Sequence, residues 1–225
     1  MERIHSLYST TIGKKIVMAA ASLVLVGFVI GHMVGNLKIF MGPESFNHYS
    51  EGLRTFGAPF LADSQALWLI RLVLLAALAV HVVAAVQLWG GSRAARKVGY
   101  KKFDPQVFSR ASRTMKWGGV AILLFVVYHL LHLTTGQAHG DFVHGDPYHN
   151  LVAGFQSPLI VLVYLTALGA LALHVYHGAW SAFQTFGFSN PRYNSYRRPT
   201  ALVLTVVVIG GFALVPLAVL LGIVG

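Results

Sequence analysis

Five long apolar stretches constrain this chain more than any other feature. They run from Ile16 to Phe40, Ala66 to Trp89, Met115 to Thr135, Pro158 to Phe186 and Thr200 to Val224. About 20 mostly apolar residues carry a helix across a bilayer, and a helix satisfies its own backbone where no water can. Only 11% of the 225 residues are charged and 56% are hydrophobic, against about 25% charged in a typical soluble domain. This excludes an ordinary soluble enzyme, a disordered chain and a nucleic-acid-binding domain. The expectation is an all-α membrane protein, one transmembrane domain over 1–225. Local signals mark the boundaries. Asp63-Ser64 offers an N-cap before the second span, Asp104-Pro105 joins a cap to a first-turn proline, and Ser157-Pro158 and Arg198-Pro199 repeat that proline signal. Pro216 should kink the fifth span. Trp68, Trp89, Trp117 and Trp180 fall near span ends, as in an aromatic belt. The first stretch lacks a small-residue cleavage site and leads into similar spans, so it reads as a span and not as a signal peptide.

The charges give an orientation. Arg3, Lys14 and Lys15 precede the first span; Arg93, Arg96, Lys97, Lys101, Lys102, Arg110, Arg113 and Lys116 lie between the second and third; Arg192, Arg197 and Arg198 lie between the fourth and fifth. Fourteen of 17 basic residues thus share one side, leaving Lys38, Arg54 and Arg71 on the other. The positive-inside rule puts the N-terminus in the cytoplasm and the C-terminus outside, as in an inner-membrane protein. The same basic side offers a docking face for a soluble partner or anionic lipid, over Met1–Lys15, Arg93–Lys116 and Ser189–Arg198. No acid lies inside a span, which argues against an ion pump or a carboxylate relay. Cysteine is absent, which removes iron–sulfur clusters, thiolate haem ligands and disulfides. Gly27, Gly31 and Gly35 form a small-residue stripe, suited to close helix packing or to making room for a flat cofactor.

Histidine is then the informative residue. His32, His81, His129, His132, His174 and His177 fall within spans. A lone intramembrane histidine need do no more than hydrogen-bond a neighbouring helix. At 1.5 Å per residue, however, His32 and His129 sit at one depth in the outer part of the membrane, and His81 and His174 at another in the inner part. Facing imidazoles at matched depth are what bis-histidine haem b requires. Two such sites would carry electrons across the membrane. Zinc is disfavoured, because no cysteine or carboxylate accompanies these histidines. Spacing does not choose between His129 and His132, or between His174 and His177, because each pair shares one helix face.

Two strings carry a family resemblance. Thr11-Ile12-Gly13-Lys14-Lys15-Ile16-Val17-Met18-Ala19, followed by His32-Met33-Val34-Gly35-Asn36-Leu37, resembles the first span of the dihaem cytochrome b anchor of bacterial succinate dehydrogenases and fumarate reductases (complex II). His174-Val175-Tyr176-His177-Gly178-Ala179-Trp180-Ser181-Ala182-Phe183-Gln184-Thr185-Phe186-Gly187 resembles its fourth span. Length and the five-span plan are similar too. The resemblance implies two haems b stacked in the bundle, the outer held by His32 and His129 and the inner by His81 and His174. His132 and His177 are then left to meet a propionate or a quinone. It also implies a flavoprotein carrying FAD and an iron–sulfur protein on the cytoplasmic face, a membrane quinone of the menaquinone type, and possible association of complexes into higher oligomers. The chain would be an enzyme subunit whose dicarboxylate site lies on its partner.

A quinone site near the outer haem points to the outer loop. Glu44, His48 and Glu51 lie on a short interfacial helix opened by Pro43, and Asn36 and Lys38 follow His32 closely. A quinone needs a proton-exchanging group in reach, though a solvated loop helix explains the same residues. Arg71 suits a haem propionate or a snorkelling anchor. His139, His144 and His149 read as solvent-exposed loop residues in a Gly/Asp-rich segment, and His5 is uninformative. Two other classes remain. One is a cytochrome b subunit of a hydrogenase or formate dehydrogenase, which the two strings disfavour. The other is a haem-free transporter or anchor.

Overall fold

Helix α1 starts at Thr11 because Thr10 caps it: the Thr10 hydroxyl accepts from the backbone N–H of Gly13 at 2.9 Å. The computed structural model describes residues 8–95, 110–188 and 190–225. Arg3, His5, Arg96, Lys97, Lys101, Lys102 and the Asp104-Pro105 cap lie outside them, as does Ser189. Helix α1 covers Thr11–Leu37 and continues as a 3-10 turn over Lys38–Met41. Gly42, at φ 89°, then turns the chain into α2, Pro43–Thr55. Three long helices follow with a short one between them: α3 Gln65–Ala94, α4 Arg110–Leu133, α5 Pro147–Phe155 and α6 Pro158–Thr185. Helix α7, Pro191–Leu220, is the last. Five of these helices are long and apolar enough to cross a membrane.

Three sequence expectations need correction. Ser64 does not cap α3 with its side chain. It sits in the left-handed region (φ 66°), where a serine oxygen cannot reach the first turn, and its backbone N–H donates instead to the carbonyl of Arg54 at 2.6 Å. The fifth long helix does not begin at Pro199 or Thr200. Asn190 accepts from the N–H groups of Arg192 and Tyr193 (3.0 and 3.2 Å) and Pro191 takes the first position, so α7 starts there and carries Pro199 inside it. The Gly/Asp-rich loop is also more ordered than expected. The Asp146-Pro147 pair opens α5, with Asp146 accepting from the N–H of His149 at 3.0 Å. Asn150, buried, ties the loop by donating to the carbonyl of Val143 and accepting from its N–H, both at 2.7 Å.

Helix α1 packs on α3, α6 and α7, and α6 packs on α4 and α7, so α1 and α6 are the central pair. Much of the outer surface is bare aliphatic side chain, such as Leu69 (61% exposed) and Leu124 (66%). Hydrocarbon is a compatible surrounding for such a surface. The dense core gathers at the end where α2 and α5 meet. Ile39, Phe46, Leu151, Val152, Phe155, Val161, Tyr164 and Val215 form its centre. There Asn47 stitches α2 to α5, its amide donating to Asp146 Oδ1 at 2.9 Å and its oxygen accepting from the N–H of Tyr148 at 3.0 Å.

The N–H of His149, with Asn47 beside it, holds the Asp146 carboxyl below its ordinary pKa. Folding therefore favours the charged form. Its stabilisation is complete above the unfolded carboxyl pKa of about 4 and is lost as the pH falls through the lower folded value. Asn47→Ala should remove both bonds, loosening this end by about 1 kcal/mol per bond. Faster amide exchange over 141–150 than in the parent at pH 7, with a smaller difference below pH 3, is the expected result.

Candidate functional site

The membrane-depth histidines converge in two places. The His32 and His129 rings lie 5.8 Å apart, centroid to centroid, with their planes at 79°. The His81 and His174 rings lie 5.9 Å apart at 61°. Three helices measure the same step between the two levels. Ser22, which contacts His81, precedes His32 by ten residues; Gly119, whose Cβ would lie 3.9 Å from His174, precedes His129 by ten; Tyr164, which contacts His129, precedes His174 by ten. Ten helical residues span about 15 Å. The two pairs are therefore stacked along the bundle roughly that far apart.

Neighbouring hydroxyls orient two of the four rings, His81 and His129, whereas His174 Nδ1 is buried without a hydrogen-bond partner among the described residues. The Ser22 hydroxyl donates to the carbonyl of Met18 at 2.7 Å, which uses its only proton. Towards His81 Nδ1, at 3.0 Å, its oxygen must accept, so Nδ1 carries the ring hydrogen. The Met18 carbonyl, 3.5 Å from Nδ1, is a second acceptor. The lone pair of His81 is then on Nε2. The Tyr164 hydroxyl touches two rings, His132 Nδ1 at 2.9 Å and His129 Nδ1 at 3.2 Å. It has one proton, and we assign it to the nearer ring. His129 Nδ1–H then donates to Tyr164 and Nε2 keeps the lone pair. A ring nitrogen engaged by an oxygen, with the other left basic, is the usual arrangement of a metal-ligating histidine.

The alternative histidines have other surroundings. His132 is fully buried (0% exposed), stacked between Tyr128 at 5.5 Å and His139 at 4.8 Å. His177 lies edge-on to Trp180 at 5.6 Å. His139 is half-buried and not the solvent-exposed residue its loop suggested: its Nε2–H donates to the Asn150 carbonyl at 2.8 Å, and its Nδ1 accepts from the N–H of Asp141 at 3.1 Å. His149 is half-exposed beside Asp141 and His144 is exposed. Among the described residues no group of three or more His, Asp or Glu side chains is placed to hold a metal ion.

The quinone candidates are not gathered in the same way. Glu44, His48 and Glu51 share the exposed face of α2, with Phe46 buried on the other. Asn36 is half-buried, and Lys38 Nζ lies over the Tyr49 ring at 5.2 Å. Tyr49 instead closes on α1: a Cβ on Gly35 would lie 2.8 Å from its hydroxyl, so the third glycine of the stripe admits a ring. Gly27 and Gly31 have no such neighbour within 4 Å. Arg71 is exposed and lies over Trp68 at 4.8 Å, an anchor's position. Ser22, Tyr164 and Tyr49 were not singled out from the sequence. The available signal was a hydroxyl inside an apolar span, for Ser22 and Tyr164.

Two imidazoles bound on opposite sides of one metal, each at about 2 Å, have centroids roughly 6 Å apart. Both observed separations fit that figure, and the lone-pair assignments of His81 and His129 suit ligation. Each pair, His32 with His129 and His81 with His174, is therefore spaced as two imidazole ligands of one metal group would be. Comparison with protein-family models, with curated proteins and with solved structures found no match.

Gly154 on α5 is the floor of the His132 site, since a Cβ there would lie 2.8 Å from His132 Cε1 and 3.2 Å from His139 Nε2. Gly154→Ala should cost about 1–3 kcal/mol through overpacking, read as a lower thermal midpoint in detergent, while Gly27→Ala, in open space, should leave the midpoint unchanged.

Proposed function

We propose that the chain is the dihaem cytochrome b anchor of a succinate:quinone oxidoreductase of the complex II type, working as succinate dehydrogenase or fumarate reductase. The observation that carries this reading is the pairing of four intramembrane histidines at two levels about 15 Å apart. The resemblance of the first and fourth spans to that family supplies the rest. Bound haem supplies a one-electron carrier at each level. His32, His129, His81 and His174 ligate, Tyr164 and Ser22 hold ring orientation, and the apolar helices exclude water. The iron–sulfur and flavoprotein subunits dock on the arginine-rich end, read as cytoplasmic in an inner membrane. Of the three segments assigned to docking, 1–7, 96–109 and Ser189 fall outside the described residues. A membrane quinone, of the menaquinone type, would exchange electrons at the α2 end, with Glu44, His48, Glu51, Asn36 and Lys38 as the candidates for its protons and Arg71, His132 and His177 in supporting roles. The catalytic dicarboxylate chemistry belongs to the partner.

A dithionite-reduced minus oxidised spectrum of the purified membrane complex, with haem counted per chain, should show two low-spin haems b. None would sink the reading in favour of a haem-free transporter or anchor. Co-purification of a hydrogenase or formate dehydrogenase in place of flavoprotein and iron–sulfur subunits would sink the complex II assignment. His81→Ala and His174→Ala should each abolish the same one of the two signals, and His32→Ala and His129→Ala the other. Tyr164→Phe and Ser22→Ala should keep both ligand sets but weaken haem retention about 10- to 100-fold, each at one level only.

A further inference from the structure

Away from the histidine pairs, the end of α6 and the start of α7 enclose a small cavity of about 80 Å³, lined by Phe183, Phe188, Tyr193, Tyr196, Arg197 and Thr200. Arg197 is anomalous there. Its Nε and Nη1 are both buried and neither has a hydrogen-bond partner among the described residues. A guanidinium is always charged, and buried charged donors left unpaired are costly and rare. The site calls for an anion.

Among the described residues no acid lies at this end of the spans. No Asp or Glu follows Asp146 in sequence. The described acids, Glu44, Glu51, Asp63, Asp141 and Asp146, belong to the loops at the other end of the spans, and Glu2 and Asp104 lie outside the described residues. The rings around Arg197 give no acceptor of comparable strength. Meanwhile the surroundings are strongly cationic and aromatic. Arg198 lies over Trp180 at 5.4 Å and Arg192 over Tyr193 at 6.0 Å.

Depth and direction narrow the class. The charge-free, mostly apolar run of α7 begins at Ala201, one turn beyond Arg197, so the guanidinium sits where hydrocarbon gives way to headgroups. Phe183 follows His174 by nine residues, half a turn round α6 at about 100° per residue, so the cavity lies on the side of α6 away from the His81–His174 pair. Its rim reaches the outer surface through Phe188 (50% exposed) and Tyr196 (68%). We propose that Arg197 and its aromatic surround bind the phosphate headgroup of an anionic phospholipid. The guanidinium donates N–H groups to the phosphate oxygens, and the tyrosine and phenylalanine rings receive the glycerol and upper acyl chains at the interface.

The test is native mass spectrometry of the full chain, purified with its bound groups and any partner subunits, titrated with phosphatidylglycerol or with phosphatidylcholine. The parent should retain one phosphatidylglycerol at about one-tenth of the concentration needed for phosphatidylcholine. Arg197→Gln should abolish that preference, Arg197→Lys should keep the fold and part of the preference, and Arg54→Gln, exposed on α2 at the other end of the spans, should leave it intact. Circular dichroism of each variant checks that the helices remain. Equal phosphatidylglycerol retention by the parent and Arg197→Gln overturns the proposal. Displacement of the lipid by millimolar inorganic phosphate also overturns it, since the site then takes a free anion. So does loss of a haem signal or of a partner subunit in Arg197→Gln with lipid preference unchanged, which would give the guanidinium to a haem propionate or a partner carboxylate. None of these outcomes bears on the haem count of the parent, so the two proposals fail separately.

Discussion

An imidazole inside hydrocarbon has two nitrogens to satisfy and no water to do it, and this condition organises the interior of the bundle. At Nδ1, His81 is held by Ser22 and the Met18 carbonyl and His129 by Tyr164, whereas His132 Nε2, His174 Nδ1 and His177 Nδ1 are buried without a partner among the described residues. Each partner uses its single hydroxyl proton in a definite direction, so ring orientation follows from ordinary helix contacts. Tyr164 matters most, because one oxygen serves both His129 and His132. Its ring is clamped edge-on by Phe125 at 5.0 Å and Phe155 at 4.8 Å. The orientation of the His129 ring therefore depends on α5, a short helix at the end of the bundle.

That dependence explains where the protein is dense and where it is open. The tight core lies at the α2–α5 end, built from Ile39, Phe46, Leu151 and Phe155. Along the spans the helices expose apolar side chains outward, and Gly27 and Gly31 face open space. A bundle meant only to fill a membrane would close its glycine stripe by packing helix on helix. Here Gly35 alone receives a neighbour, the Tyr49 ring.

The spans were legible because twenty apolar residues in hydrocarbon leave the backbone one practical choice, the helix. Depth was legible too, since the rise per residue is constant. The errors came where local signals compete. Arg198-Pro199 and Asn190-Pro191 offer the same proline signature, and the start goes to Asn190 because its side chain reaches two N–H groups. Asp63-Ser64 has cap chemistry but the wrong backbone, with Ser64 left-handed. Asp146-Pro147 carried a valid start signal that the surrounding glycines and aspartates obscured. His139 looked exposed because its segment is polar, yet Asn150 and His132 draw it inward.

By itself, then, the sequence determined an all-helical chain with five helices long and apolar enough to cross a membrane, with histidines at two depths. Both facts depend only on composition and on distance along a helix axis. Which histidines face one another was decided by the tertiary structure. His129 and His132 differ by three residues and share a face, so only the packing of α5 and α6 against α4 turns one towards His32 and the other towards Tyr128 and His139. The burial of Arg197 Nε and Nη1 without a partner among the described residues likewise has no signature in the sequence. Burial and pairing are properties of neighbours, and neighbours distant in sequence are supplied only by the fold.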